Sequence, residues 1–230
     1  MLVWGGRNGS GLLNDGALYD PSTDTWTPLP TLNAPAERFG AAAVWVNGRF
    51  VVWGGTGLFG PRNDGAQLVF VDGIPSHWQN ISTTGAPGGR SGHTLIAAGT
   101  KALVFGGQFN STLFADGAVY DPIADSWTAL STTDAPSART GHAAVWTGSE
   151  MLILGGTTVS GDTATGHAYD LANHSWRTLS TNGAPVARTA LTANWIGSHV
   201  LTFGGTSSGT PLTALQKLNP QAAYFFYRKP

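Results

Sequence analysis

The chain has 230 residues, 41% of them hydrophobic and only 11% charged, with a formal net charge of −1 and no cysteine. This balance excludes the basic footprint of a nucleic-acid surface, and no apolar run approaches the roughly 20 residues of a membrane-spanning helix, so neither nucleic acid nor membrane insertion is expected. The missing cysteines exclude disulfide staples, thiolate metal sites and cysteine nucleophiles.

The first element, residues 1–6 (MLVWGG), is an apolar run closed by Gly5-Gly6. The same ending returns at Gly54-Gly55, Gly106-Gly107, Gly155-Gly156 and Gly204-Gly205, at intervals of 49, 52, 49 and 49 residues. A period near 50 marks a repeat whose units bury a face only against their neighbours. Other positions keep the same phase. Arg38, Arg90, Arg139 and Arg188 each stand sixteen residues before a glycine pair and three after an Ala-Pro step. Asp20, Asp72, Asp121 and Asp170 precede Trp26, Trp78, Trp127 and Trp176 by six residues, and the last unit has Asn219 and Phe225 there.

Along the chain the units span 1–36, which lacks the arginine-bearing opening, then 37–88, 89–137, 138–186 and 187–230, without a linker, as one domain. Each unit predicts four short strands. In the third and fourth units these fall at 102–106 and 141–147, nearly all apolar and suited to inner positions, and at 117–121 and 126–130, more polar and suited to outer ones. Residues 167–182 place Tyr169, Ala172, Trp176 and Leu179 at helical spacing, but the equivalent segments carry Pro21 and Pro122. Proline inside a helix costs about 3 kcal/mol, so the turn reading prevails. Asp24 and Asp125 are expected to cap backbone amides, and Asp15, Asp64 and Asp116 to open an Asp-Gly-Ala turn. The glycine pairs are expected at positive φ, where neighbouring strands approach closely.

Arg-x-Gly-His at 90–93 and 139–142, an apolar strand ending in Gly-Gly, then Tyr-Asp-Pro and Trp together resemble the kelch repeat. The resemblance covers nearly the whole chain and implies an all-β fold, a β-propeller of four-stranded blades, about five of them with the first lacking a strand. The chain reads either as a five-bladed ring with one incomplete blade or as part of a larger ring.

Strand alternation places the loop between the second and third strands on the same face as the blade-joining loops. These loops, 7–14, 56–63, 108–115, 157–164 and 206–213, keep a length of eight residues while their content changes, as on a fixed scaffold that presents variable contacts. Arg7, Phe59, Arg62, Phe109 and Phe114 are the contact-forming types among them. The resemblance to kelch adaptors implies that Arg7, Asn8 and the strand-opening Arg38, Arg90, Arg139 and Arg188 contribute to peptide binding. A residue present in every unit reads more economically as a structural element.

The expected function is therefore a non-catalytic scaffold that binds a protein segment or a glycan. The alternatives are a sugar-active, mutarotase-like enzyme at the pore mouth, or a surface fragment with no ligand of its own. Galactose-oxidase-like copper chemistry, which the resemblance also brings up, needs a Cys-linked tyrosine and is excluded by composition. The six histidines offer no metal-ligand pair at short spacing, so neither metal nor cofactor is expected. Scarce lysine and a Thr-rich surface lean toward a bacterial, extracytoplasmic setting.

Overall fold

Short apolar runs broken by turn residues form antiparallel strands throughout the computed structural model, which describes residues 1–220. The fold is an all-β propeller of five blades with no helix among the described residues. In blades 2, 3 and 4 four strands run from the axis outward in sequence order. For blade 3 these are Thr94–Ala98, Lys101–Phe105, Gly117–Asp121 and Ser126–Ala129. Blade 1 has three strands, Leu2–Asn8, Gly11–Asp20 and Thr25–Pro28. Blade 5 has three among the described residues, Thr192–Trp195, Val200–Phe203 and Leu215–Leu218. Phe225, expected on its outermost strand, lies outside the described residues. Residues 167–182, despite their helical spacing, lie in the hairpin of Gly166–Asp170 with Ser175–Thr178 and the chain that follows it.

Among the described residues the hydrophobic core forms four layers, one between each pair of consecutive blades. Trp53, Val51 and Val46 of blade 2 pack on Val104, Ala118, Tyr120 and Trp127 of blade 3. Phe105 and Leu103 of blade 3 pack in turn on Met151, Ile153, Tyr169 and Trp176 of blade 4. Burying one such large apolar side chain contributes about 1.5–3 kcal/mol. The repeated tryptophan has a second role, because its indole reaches back to the preceding blade. Trp78 Nε1 donates to Pro30 O at 2.9 Å, and Trp127 Nε1 and Trp176 Nε1 donate to Ser82 O and Ser131 O at 2.8 Å. Trp26 has no blade behind it among the described residues, and it is 51% exposed.

The glycine pair is explained at Gly106-Gly107. Both have positive φ, 64° and 96°. A Cβ on Gly106 would stand 2.8 Å from Arg139 O, and one on Gly107 2.8 Å from Ser91 O. Gly107 N also donates to Arg139 O at 2.8 Å, so the pair brings one blade's backbone against the opening segment of the next.

The aspartate that starts the turn caps its amides: Asp121 Oδ1 accepts from Ile123 N and Ala124 N at 2.9 and 3.1 Å. Asp125 caps a backbone amide as expected, Ser82 N across the blade junction at 2.8 Å, and also accepts from Tyr120 Oη at 2.8 Å, while Asp24 accepts from Tyr19 Oη at 2.8 Å. One expectation about acids is corrected, since the Asp-Gly-Ala sequences do not form turns. Gly16 lies within the second strand of blade 1, while Gly65 and Gly117 start third strands, packed so closely on the carbonyls of Val3, Val52 and Val104 that a side chain would collide.

Candidate binding face

The eight-residue loops are structured. In blades 2 to 5 each contains a two-residue-stranded hairpin, Thr56–Gly57 with Gly60–Pro61, Gln108–Phe109 with Thr112–Leu113, Thr157–Thr158 with Gly161–Asp162, and Thr206–Ser207 with Thr210–Pro211. Blade 1 instead continues its two long strands to a tip at Gly9-Ser10. Each of the four hairpins is tied at its base to the opening segment of its own blade by a bridge, Phe39 with Thr56, Ser91 with Gln108, Thr140 with Thr157 and Thr189 with Thr206. Hairpins of adjacent blades also touch, since Ser208 N donates to Asp162 Oδ2 at 2.8 Å.

Beneath the hairpins lie the repeated arginines. Arg38, Arg90 and Arg139 are wholly buried and Arg188 nearly so, each aimed into its own blade. Arg90 Nη1 and Nη2 donate to Asp116 Oδ1 and Oδ2 at 2.7 and 3.0 Å, and Nη1 also reaches Gly106 O at 3.1 Å. Arg38 repeats this on Gly54 O at 3.1 Å and Asp64 Oδ1 at 2.9 Å. The last two departures from the pattern are chemical. Arg139 meets Thr165, whose Oγ1 accepts at 3.1 Å, and Arg188 meets Gln216 Oε1 at 2.6 Å. Burial without a carboxylate lowers the Arg139 guanidinium pKa to about 10. The four repeated arginines are interior struts that hold the glycine-pair carbonyl and the start of the third strand together.

His93 and His142 are equally internal. His93 lies edge-on to Trp53 at 5.0 Å between ring centroids, and His142 to Phe105 at 5.6 Å. Burial, reinforced by Arg90 and Arg139 respectively, lowers both pKa values to about 3, so both rings are neutral at pH 7. The opening segments are laced together nearby. Gly92 O accepts from Gly141 N and Thr140 Oγ1 at 3.3 and 3.2 Å, and Gly141 O accepts from Ala190 N and Thr189 Oγ1 at 2.8 and 3.3 Å.

The loop residues divide into two groups. Asn8 Oδ1 accepts from Ser10 N and Gly11 N at 2.8 and 3.1 Å, closing its own hairpin. The Arg7 guanidinium lies 4.9 Å from the Phe39 ring, and Phe114 is folded under Arg90, with 4.2 Å between guanidinium carbon and ring centroid. Arg62 leans on Asp64 at 3.6 Å. Phe59, by contrast, projects from its tip at 94% exposure, beside Leu58 at 71%, while Phe109 is exposed next to the turn of the following hairpin. Val159, at the blade 4 tip, is 89% exposed and escaped sequence reasoning. It could have been found by comparing the same loop position across units, since Val159 stands where Leu58 does relative to its glycine pair. Among the described residues no group of three His, Asp or Glu side chains is placed to hold a metal ion.

Blades with this arginine, glycine-pair and tryptophan framework define a kelch-type propeller. The KLHDC2/KLHL20/DRC7 Kelch-repeats domain matches residues 1–156 and 92–224, and the chain belongs to this family. Among curated proteins it is similar to the human Rab9 effector protein with kelch motifs, 31% identical over 119 residues, covering 50% of this chain and 32% of that protein. It is also similar to Tip elongation aberrant protein 1 of Schizosaccharomyces pombe, 31% identical over 112 residues, 47% of this chain and 10% of that protein. Adagio protein 3 of Arabidopsis thaliana is 33% identical over 115 residues, 48% of this chain and 19% of that protein. The matched stretch therefore spans about a third or less of each of these relatives.

Proposed function

We propose that this chain is a non-catalytic protein-interaction scaffold that grips a protein segment through the hairpin face of blades 2 to 4. The observation that carries the reading is the set of solvent-projecting apolar side chains, Leu58, Phe59 and Val159, on hairpins whose bases are bonded to a rigid sheet. Large apolar groups at such exposure cost solvation in the free protein and gain on being covered, whereas a rigid base limits the ordering entropy lost on binding. The name of the human relative makes it an effector of another protein, Rab9, which supports a protein partner over a glycan.

The test is selection of peptides from a displayed random library on immobilised chain, followed by titration against Phe59→Ser and Val159→Ser variants. The reading expects selected peptides to lose roughly tenfold or more in affinity on these variants, with melting temperature unchanged. Peptides that bind both variants as well as the parent, or a glycan array that gives tip-dependent binding where peptides give none, would overturn it.

A further inference from the structure

Blade 4 departs from blades 2 and 3 at four positions that meet around one arginine. Where Arg38 and Arg90 are bonded to the carboxylates of Asp64 and Asp116, Arg139 has Thr165 in the same register. Two residues before the arginine, Ser137 stands in place of Ala36 and Gly88, and Thr163 stands in place of Arg62 and Phe114. His167 replaces Ala66 and Ala118. One blade has lost its acid and gained three hydroxyls and an imidazole, all within the interior of the molecule.

The hydroxyls and the guanidinium form one network. Arg139 Nη2 donates to Ser137 Oγ and to Thr165 Oγ1, both at 3.1 Å, and Thr165 Oγ1 lies 3.0 Å from Thr163 Oγ1. An oxygen that accepts from the guanidinium turns its own proton away from it, so Ser137 and Thr165 carry the positive field of Arg139 outward as O–H donors. His167 Nδ1 is shielded from solvent and has no partner. Burial, reinforced by Arg139, lowers the pKa of His167 to about 4, which places its ring within electrostatic reach of the guanidinium. Among the described residues no acid pairs with Arg139. A cleft of about 500 Å³ between blades 3 and 4, walled by Phe114, Pro136 and Ser137, opens the network to solvent. Asp116 also borders this cleft, but its charge is taken up by Arg90.

We infer that blade 4 binds a small monovalent anion, chloride or a carboxylate of formate size, on the hydroxyl protons of Ser137 and Thr165 beside Arg139. The ion takes the place of the carboxylate that Arg38 and Arg90 receive from their own chain. A buried guanidinium without a counter-charge is costly, and a water molecule supplies hydrogen bonds but no charge, whereas one anion restores the balance that blades 2 and 3 already have. One missing carboxylate calls for one negative charge, and the threonine side chain leaves room only for a compact ion. Bound there, the ion fastens the opening segment of blade 4 to the start of its third strand, so that the cohesion of this blade depends on the anion. The site is separate from the hairpin tips, and it stands or falls independently of the function proposed above.

The probe is chloride itself, added to the full 230-residue chain. Melting temperature is compared in sodium chloride and in sodium methanesulfonate at equal ionic strength, which removes general screening from the comparison. The chloride NMR line width is followed in parallel as protein is added. A higher melting temperature in chloride, rising to saturation with concentration, is expected, together with excess line width that formate displaces. Ser137→Ala, which installs the residue of blade 2, should weaken chloride binding roughly tenfold by removing one donor to a charged acceptor. Thr165→Asp, which supplies the carboxylate from the chain, should abolish both responses, and if that variant does not fold Ser137→Ala decides alone. Equal melting temperatures in the two salts, line width that formate leaves unchanged, or a chloride response that persists undiminished in Ser137→Ala would each overturn the inference and leave water as the occupant of the place.

Discussion

Arg90 grips both carboxylate oxygens of Asp116, 26 residues downstream, whereas Arg139 at the same place in the next blade has neutral acceptors, the Thr165 and Ser137 hydroxyls and backbone carbonyls. A buried guanidinium bonded to a carboxylate is held more strongly than one bonded to neutral acceptors. Thr165→Asp should therefore raise stability by about 1 kcal/mol, and Asp116→Ala should lower it by about 2–3 kcal/mol. Paired urea unfolding curves check both signs. An aspartate at 165 that destabilises would show that the Thr163–Thr165 hydroxyl contact, 3.0 Å long, matters more than the missing charge.

Gly107→Val should cost more than about 4 kcal/mol or prevent folding, because the added carbons would meet Ser91 O and the His93 main chain at a positive-φ position. Arg62→Ala, on the half-exposed hairpin, should change stability by no more than about 0.5 kcal/mol. Comparable melting temperatures for the two variants would refute this account of the glycine pair.

The tryptophans make an internal control. Trp127→Phe keeps most of the apolar surface but leaves Ser82 O without its indole donor, a loss of about 1–3 kcal/mol. Trp26→Phe, at the open face, should be neutral within about 0.5 kcal/mol. Thermal melts of the two proteins side by side distinguish the inter-blade bond from a general preference for indole.

Acid should destabilise the fold through its histidines. Because burial holds His93 and His142 at pKa values of about 3, against 6.5 for an ordinary histidine, the unfolded chain binds more protons than the folded one between those limits. Their contribution is fully present above pH 6.5 and is lost as pH falls toward 3, at up to about 1.4 kcal/mol per pH unit for each ring. Leu191 stands where His142 does one unit later, which makes His142→Leu a tolerated replacement. Stability measured from pH 7 to pH 5 should fall less steeply in that variant than in the parent. Identical slopes would show that His142 does not report on folding.

The repeat was legible because sterics impose it. Gly-Gly, the buried arginine and the Asp-to-Trp spacing recur wherever one blade must meet the next, and so do the four strands they delimit. What the repeat could not reveal is which way a side chain turns once the strand is made. Phe59 and Phe114 look alike in sequence, yet one projects into solvent and the other stacks under Arg90. The difference lies in the neighbouring arginine, brought close only by the strand pairing. Likewise Gly117 resembles a turn glycine but is required within a strand, because the clash it avoids is with a carbonyl of the adjacent strand, 13 residues earlier in the chain. Val159 is legible only through the repeat, by its register with Leu58, since a valine read by itself does not signal that its hairpin lifts it clear of the sheet.

Among the described residues the apolar layers lie between consecutive blades, so cohesion there is a nearest-neighbour property. Blade 3 is clamped on both faces, and opening it sacrifices two layers at once. Amide protection should therefore be highest in the Lys101–Phe105 strand, which lies between those two layers.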